Sequence, residues 1–188
     1  VPETSVMGHM IIVAILGYFC ALRLEACPQR AVNDFLCGLF HDLPEVLTRD
    51  IISPIKRSVE GLEELIKDIE KRQIAEKILP LLPGEWHKEI LYFAENEFAD
   101  RAIVDGEIKL LSKPQEISEK YNEDKYSPVD GSVLKGCDHL AAFVEAWLSR
   151  RHGITSQHLQ EGEEKIREMY KAKSIAGINF AEIFGKFD

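Results

Sequence analysis

Four residues in this sequence are awkward one at a time and ordinary if they share an ion. His9 stands in "VMGHMIIVAILGYFCAL", where nearly every neighbour is apolar. A histidine there must satisfy its ring nitrogens, through the backbone of a core or through a metal. His41 and Asp42 close another apolar stretch, in "GLFHDLPEVLTRD". Asp138 lies in "LKGCDHLAAFVEA". Leu134, Asp138, Ala141, Val144 and Leu148 follow the spacing of one helix face, so the Asp138 carboxylate is expected on a buried stripe. It then needs a cation or a metal beside it. Two imidazoles and two carboxylates form a mixed N/O donor set suited to a borderline divalent ion, with water or substrate completing the coordination. Plain alternatives stay open for each residue: a core histidine, a buried ion pair, a helix cap. Asp42-Leu43-Pro44-Glu45 reads as a capping box with proline in the first turn, which explains those residues without chemistry. It does not explain His41.

These residues must be held by helices. Ser5 can cap a helix running to about Ala26, with Pro28 marking its end. The apolar run at 6–22 is slightly short for a membrane span. It carries His9 and is followed by Arg23 and Glu25, so we expect a core helix surrounded on all sides by others. A second helix is expected over Gln29 to His41 and a short one over Leu43 to Arg49. "SVEGLEELIKDIEKRQIAEKIL" predicts an amphipathic helix with Leu62, Leu65, Ile66 and Ile69 on one side, ended by Pro80 and Pro83. "GEWHKEILYFAENEFADRAIVDGEIKLL" predicts a further helix broken near Asp105-Gly106. The stretch from Pro114 to Gly131 turns polar and is expected to be a loop or partly ordered insertion. A strong helix follows over Ser132 to His152 and a last long one from Thr155-Ser156. The tail "GINFAEIFGKF" is apolar enough to dock back. Without internal repeats or convincing β alternation, the chain is expected to be all-α and a single domain over residues 1–188. Trp86 and Trp147 are expected in the core, and His87, His139, His152 and His158 away from any metal.

The composition limits the partners. The chain has 188 residues and a net charge of −9, which disfavours a nucleic-acid backbone as partner. It does not disfavour a small phosphate ester held locally by a metal ion. Cys20, Cys27, Cys37 and Cys137 include no CxxC pair and are read as reduced thiols of a cytoplasmic protein. A membrane partner is not expected. Val1 precedes the first helix by only a few residues, and a preceding segment is expected.

The set His9, His41-Asp42 and Asp138 resembles the H…HD…D signature of the HD-domain metal-dependent phosphohydrolases. "ETSVMGHM" is similar to the segment carrying that family's first histidine. "FHDLPEVLTRDIISPIK" resembles the bacterial 5′-deoxynucleotidase branch, where HD-x-x-E-V-L-T-x-D precedes a proline and a lysine. "LKGCDHLAAFVEA" and "INFAEIF" resemble later segments, so the likeness spans most of the chain. The resemblance implies an HD-type helical bundle, often a homodimer, with His9, His41, Asp42 and Asp138 holding one divalent metal ion (Mn, Co, Mg, Zn, Fe or Ni). It implies Glu45 as the residue that moves the proton and Asp50 as the residue facing the sugar 3′-hydroxyl. The implied substrate is a small phosphorylated metabolite, a deoxyribonucleoside 5′-monophosphate. Alternatives are another nucleotide or small phosphate ester, or a non-catalytic metal-binding helical protein. The sequence departs from the branch at Gly8, where many relatives have glutamate, and at Arg49, where glycine is common. The arginine and aromatic residue that precede the branch's first histidine are not in the chain.

Overall fold

Ser5 starts the first helix, α1 (Val6–Arg23), by accepting the Gly8 N–H on its Oγ at 3.0 Å. In the computed structural model, which describes residues 5–44, 47, 62–154 and 156–187, α1 turns back through Leu24 and Glu25 into α2 (Pro28–Phe40). Pro28 occupies the first turn of α2, where a missing N–H is harmless. The two helices approach closely because their contact residues are small. A Cβ on Gly38 would lie 2.8 Å from the Ala14 Cα, and one on Gly17 would lie 3.2 Å from the Asp34 carbonyl oxygen. This close approach sets the distance between His9 on α1 and His41 at the end of α2.

The expectation that α1 is covered all round is wrong. It buries the face of Met10, Val13, Ala14, Gly17 and Ala21. Met7, Phe19 and Leu22 on the remaining surface are 58%, 61% and 51% exposed. By length and composition α1 is long and apolar enough to cross a membrane, yet its packed face is part of the main core.

The helix expected over 43–49 falls largely outside the described residues. Helix α3 (Leu62–Gln73) continues through a π-turn at Ile74–Ile78 and a 3-10 turn at Leu79–Leu81. Ile66 is buried as the apolar pattern predicts, Leu62 and Ile69 are half-buried, and Leu65 is 56% exposed; Ile74, just past the helix, is buried too. A 3-10 turn at Gly84–Trp86 leads into α4 (His87–Ala94). Trp86 is 51% exposed and is not a core residue.

The helix expected beyond Ala94 is replaced by a hairpin of β1 (Arg101–Val104) and β2 (Glu107–Leu110). Val104 pairs with Glu107 across Asp105 (φ 53) and Gly106 (φ 83). Asp-Gly flanked by alternating apolar residues is the signature of a two-residue hairpin turn, and helical spacing masks it. These strands are short additions to a helical fold.

The polar stretch at 114–131 is ordered. It forms a π-turn at Ile117–Tyr121 and a 3-10 turn at Asp124–Tyr126, with Ile117 and Val129 buried. It also finishes α2, whose N-cap residue Cys27 supplies no side-chain cap. Asn122 Oδ1 accepts the Cys27 N–H at 2.9 Å, and Asp124 Oδ1 accepts the Gln29 N–H at 3.0 Å. Helix N-termini leave such donors orphaned, and here a distant segment satisfies them.

Helix α5 (Gly131–Arg151) carries Asp138 and packs on α1 and α2. Helix α6 (Gln157–Tyr170) follows it, then a small hairpin of β3 (Ser174–Ile175) and β4 (Ile178–Asn179), and α7 (Phe180–Gly185). The tail docks back as expected. Phe180 is fully buried on Gly136, and Tyr170 stacks on Phe184 at 4.9 Å between ring centroids. Trp147 donates its indole N–H to the Phe187 carbonyl at 3.0 Å. All four cysteines are free, with the Cys20 and Cys137 sulfurs 3.7 Å apart.

Candidate metal centre

His9 comes from the first turns of α1, His41 and Asp42 from the C-terminal end of α2, and Asp138 from two turns into α5. The fold brings all four together. His9 Nε2 is 3.0 Å from Asp138 Oδ1 and 3.8 Å from Asp42 Oδ2. His41 Nε2 is 3.0 Å from Asp42 Oδ2 and 3.9 Å from Asp138 Oδ1. The four atoms therefore alternate N, O, N, O around a closed ring. Nitrogen and oxygen donors bonded to one divalent ion at about 2.0–2.2 Å stand about 3.0–3.6 Å apart when neighbouring. The ring edges bracket that spacing.

His41 shows the strongest sign of a missing partner. Its Nδ1–H donates to the Gly38 carbonyl at 2.8 Å, which leaves Nε2 as the lone-pair nitrogen. That nitrogen is buried and has no hydrogen-bond partner, although the Asp42 carboxylate lies beside it. Two lone-pair atoms facing each other at 3.0 Å are reconciled by a cation, either a proton on the imidazole or a metal ion. The backbone carbonyl behind the imidazole is the usual device that fixes a metal-binding tautomer. Gly38 thus both lets α1 approach and orients His41.

The electrostatics agree. The hydrogen bond to Asp138 raises the His9 pKa above its ordinary value, against the opposing effect of burial. Burial depresses His41, but the adjoining Asp42 and Asp138 carboxylates outweigh it, so its pKa is raised too. Burial pushes Asp138 up, yet His9, Lys135 and His41 together hold it well below the usual carboxylate range. Without a metal, protons and an ammonium occupy the places of a divalent charge.

His9, His41 and Asp42 can each present a donor atom within 4.8 Å of the others. Asp138 stands at the edge of that trio, and its second oxygen is held by Lys135 Nζ at 2.8 Å. Lys135 also sits 4.0 Å over the Phe98 ring, whose centroid is 5.6 Å from that of His41. Sequence reasoning missed both Lys135 and Phe98. Lys135 was detectable, being one turn before Asp138 on the same helix; nothing local marks Phe98. The cluster forms the wall of a cleft of about 1150 Å³, a volume that admits a mononucleotide-sized ligand.

The other expected residues divide cleanly. Glu45, Arg49 and Asp50 lie outside the described residues. His139 lines the same cleft, but its Nδ1 is engaged in a hydrogen bond with the Tyr170 hydroxyl at 2.8 Å. His87 and His152 bond through a ring nitrogen to the carbonyls of Leu82 and Leu148, and His158 is exposed.

A family model described as an HD domain matches residues 1–167. The match includes His9, His41, Asp42 and Asp138 in one span. Neither the curated proteins nor the solved structures contain a significant match to the chain.

Proposed function

The chain belongs to the HD-domain family of metal-dependent phosphohydrolases, and from that premise we propose that it hydrolyses deoxyribonucleoside 5′-monophosphates to nucleoside and phosphate. The observation that carries the hydrolytic reading is the alternating N/O ring with its orphaned, carbonyl-oriented His41 Nε2. The donor set fits one divalent ion, held by His9, His41, Asp42 and Asp138. When bound, the ion supplies positive charge to a phosphate and makes a water more acidic.

The remaining work falls to the chain's own groups. Glu45 follows the HD pair by three residues in sequence, and in this reading its carboxylate takes a proton from the attacking water and returns it to the leaving oxygen. In this reading Asp50 accepts a hydrogen bond from the sugar 3′-hydroxyl and helps select deoxyribose. The like charge of the cleft's many carboxylates discourages a polyanion but leaves room for one phosphate group neutralised at the ring. A homodimer in the cytoplasm completes this reading.

Phosphate release from a panel of ribo- and deoxyribonucleoside 5′-monophosphates and sugar phosphates, with Mn²⁺, Co²⁺ or Mg²⁺ added, tests it. Preferential release from deoxyribonucleotides is expected. Glu45→Gln should lose turnover while keeping the metal. Turnover of the parent confined to esters lacking a nucleoside would overturn the substrate assignment, and full activity in Glu45→Gln would overturn the proton role.

A further inference from the structure

The cleft beside the ring is strongly acidic. Glu64, Asp68, Glu70, Glu95, Glu97 and Glu145 line it in addition to the ring carboxylates. A phosphate ester approaching this wall meets repulsion that one divalent ion only partly offsets. Three lysines also line the cleft: Lys67, Lys71 and Lys135. Lys71 lies 3.9 Å from Glu95. Lys135, by contrast, is paired directly with a member of the ring.

The placement of Lys135 is specific. Its ammonium contacts Asp138 Oδ2, while Asp138 Oδ1 faces His9. The side chain remains 42% exposed on the cleft side. The Phe98 face under the ammonium, at 4.0 Å, keeps the long side chain from swinging into solvent. An ammonium carries three donors and no acceptor. One is used on Asp138, so others remain for an anion arriving at the ring.

We propose that Lys135 binds the phosphate group of the substrate, held at the ring's edge by Asp138 and Phe98. This deepens the phosphohydrolase reading and rests on it. With a divalent ion drawing on Asp138, the ammonium gives up part of its bond to that carboxylate and takes a phosphoryl oxygen instead. The device keeps a cation beside the ring before substrate arrives and offers it to the phosphate once the ion is seated.

The test titrates inorganic phosphate into Mn²⁺-saturated protein by calorimetry, for the parent, Lys135→Gln and Lys135→Arg. Mn²⁺ binding to each is measured first. Lys135→Gln should bind Mn²⁺ as tightly as the parent or tighter, because the ion no longer competes with an ammonium for Asp138. Its phosphate affinity should fall about tenfold or more, the value of one charged hydrogen bond. Lys135→Arg keeps the charge and should recover part of the loss. In turnover assays the fall should appear mainly in KM. Phosphate affinity unchanged in Lys135→Gln at saturating Mn²⁺ overturns the assignment. So does loss of Mn²⁺ with phosphate affinity retained once Mn²⁺ is restored, which would make Lys135 a support of Asp138 alone. If the parent hydrolyses no phosphate ester, the functional reading falls, and the phosphate titration still decides the role of Lys135.

Discussion

Arg30 grips both carboxylate oxygens of Asp130, at 2.6 and 2.8 Å, and neither side chain is exposed. The pair joins the first turn of α2 to the N-terminus of α5, the two helices that bring three of the four ring residues. Ser118 and Asn122 accept further bonds from the same guanidinium, so the 114–131 segment is tied to it as well. Asp34 lies beside this pair and accepts the Asp130 N–H at 2.8 Å. Burial, reinforced by the Asp130 charge, pushes the Asp34 pKa well above its ordinary value.

The two buried aspartates should therefore respond differently to amide substitution. Asp130→Asn leaves a buried guanidinium without its counter-charge and should cost about 3–5 kcal/mol. Asp34→Asn keeps an oxygen to accept the Asp130 N–H and should cost about 1 kcal/mol or less at neutral pH. A carboxyl whose folded pKa is raised stabilises at low pH, and that contribution is lost as pH rises through the folded value. The Asp34→Asn variant should thus gain on the parent as pH rises. Urea denaturation across a pH series reads both effects; equal losses in the two variants would contradict the assignment of charge.

The contact between Gly38 and Ala14 predicts a link between helix packing and metal binding. A Cβ at position 38 would lie 2.8 Å from the Ala14 Cα, so α1 must move. Gly38→Ala should cost about 1–3 kcal/mol of stability and weaken Mn²⁺ binding, because His9 moves with α1. Gly162→Ala is the control. Nothing lies within 4 Å of its added methyl group, and it should stabilise α6 by about 1 kcal/mol. Calorimetric Mn²⁺ titration of Gly38→Ala indistinguishable from the parent would remove the link.

Metal uptake should be coupled to protons. His9 and His41 have folded pKa values above 6.5, and Asp138 has one below 3.8. In the metal-free protein the contacts among them stabilise fully between those two reference values. That stabilisation is lost as pH rises through the raised histidine values, and lost as pH falls through the depressed Asp138 value. A metal ion must displace the histidine protons. Apparent Mn²⁺ affinity should climb as pH is raised from about 6 towards 8, flattening once both imidazoles are neutral. Mn²⁺ should also raise the thermal midpoint of the parent and not that of Asp42→Ala. A flat affinity profile over this range would sink the proton coupling.

Phe180 supplies the fourth prediction. It is fully buried, and its ring fills the space left by the missing side chain of Gly136. Phe180→Ala should cost about 3–5 kcal/mol, measurable by chemical denaturation. A loss below about 1 kcal/mol would show that this end of the tail is not part of the core.

The ring was legible because its members are chemically out of place. His9 in an apolar run and Asp138 on a buried stripe each need a partner, and helical spacing put Asp138 on an inward face. Helix starts were legible where a cap or proline marks them, as at Ser5 and Pro28. Lys135 and Phe98 were not legible, because a half-exposed lysine and a lone aromatic carry no local anomaly. The Asp105-Gly106 turn was present in the sequence, but Ala-Ile-Val and Glu-Ile-Lys-Leu also suit a helix, and only pairing across the turn decides between them. Leu65 and Trp86 show the limit of apolarity as a guide to burial. The open side of α1 shows the same for a whole helix: an apolar run reports what a surface prefers, not what covers it.

The docking of the tail on α5 has a consequence for biosynthesis. The family match ends at residue 167, yet Tyr170, Ile178, Phe180 and Phe184 close the core behind Cys137, next to Asp138. An emerging chain can pair α1 with α2 early, since they are adjacent in sequence. The helix that brings Asp138 lacks its backing until translation has passed Phe184. Completion of the ring by Asp138 therefore follows synthesis of the segment through Phe184, whereas the His9, His41 and Asp42 donors come together as soon as α1 and α2 pair.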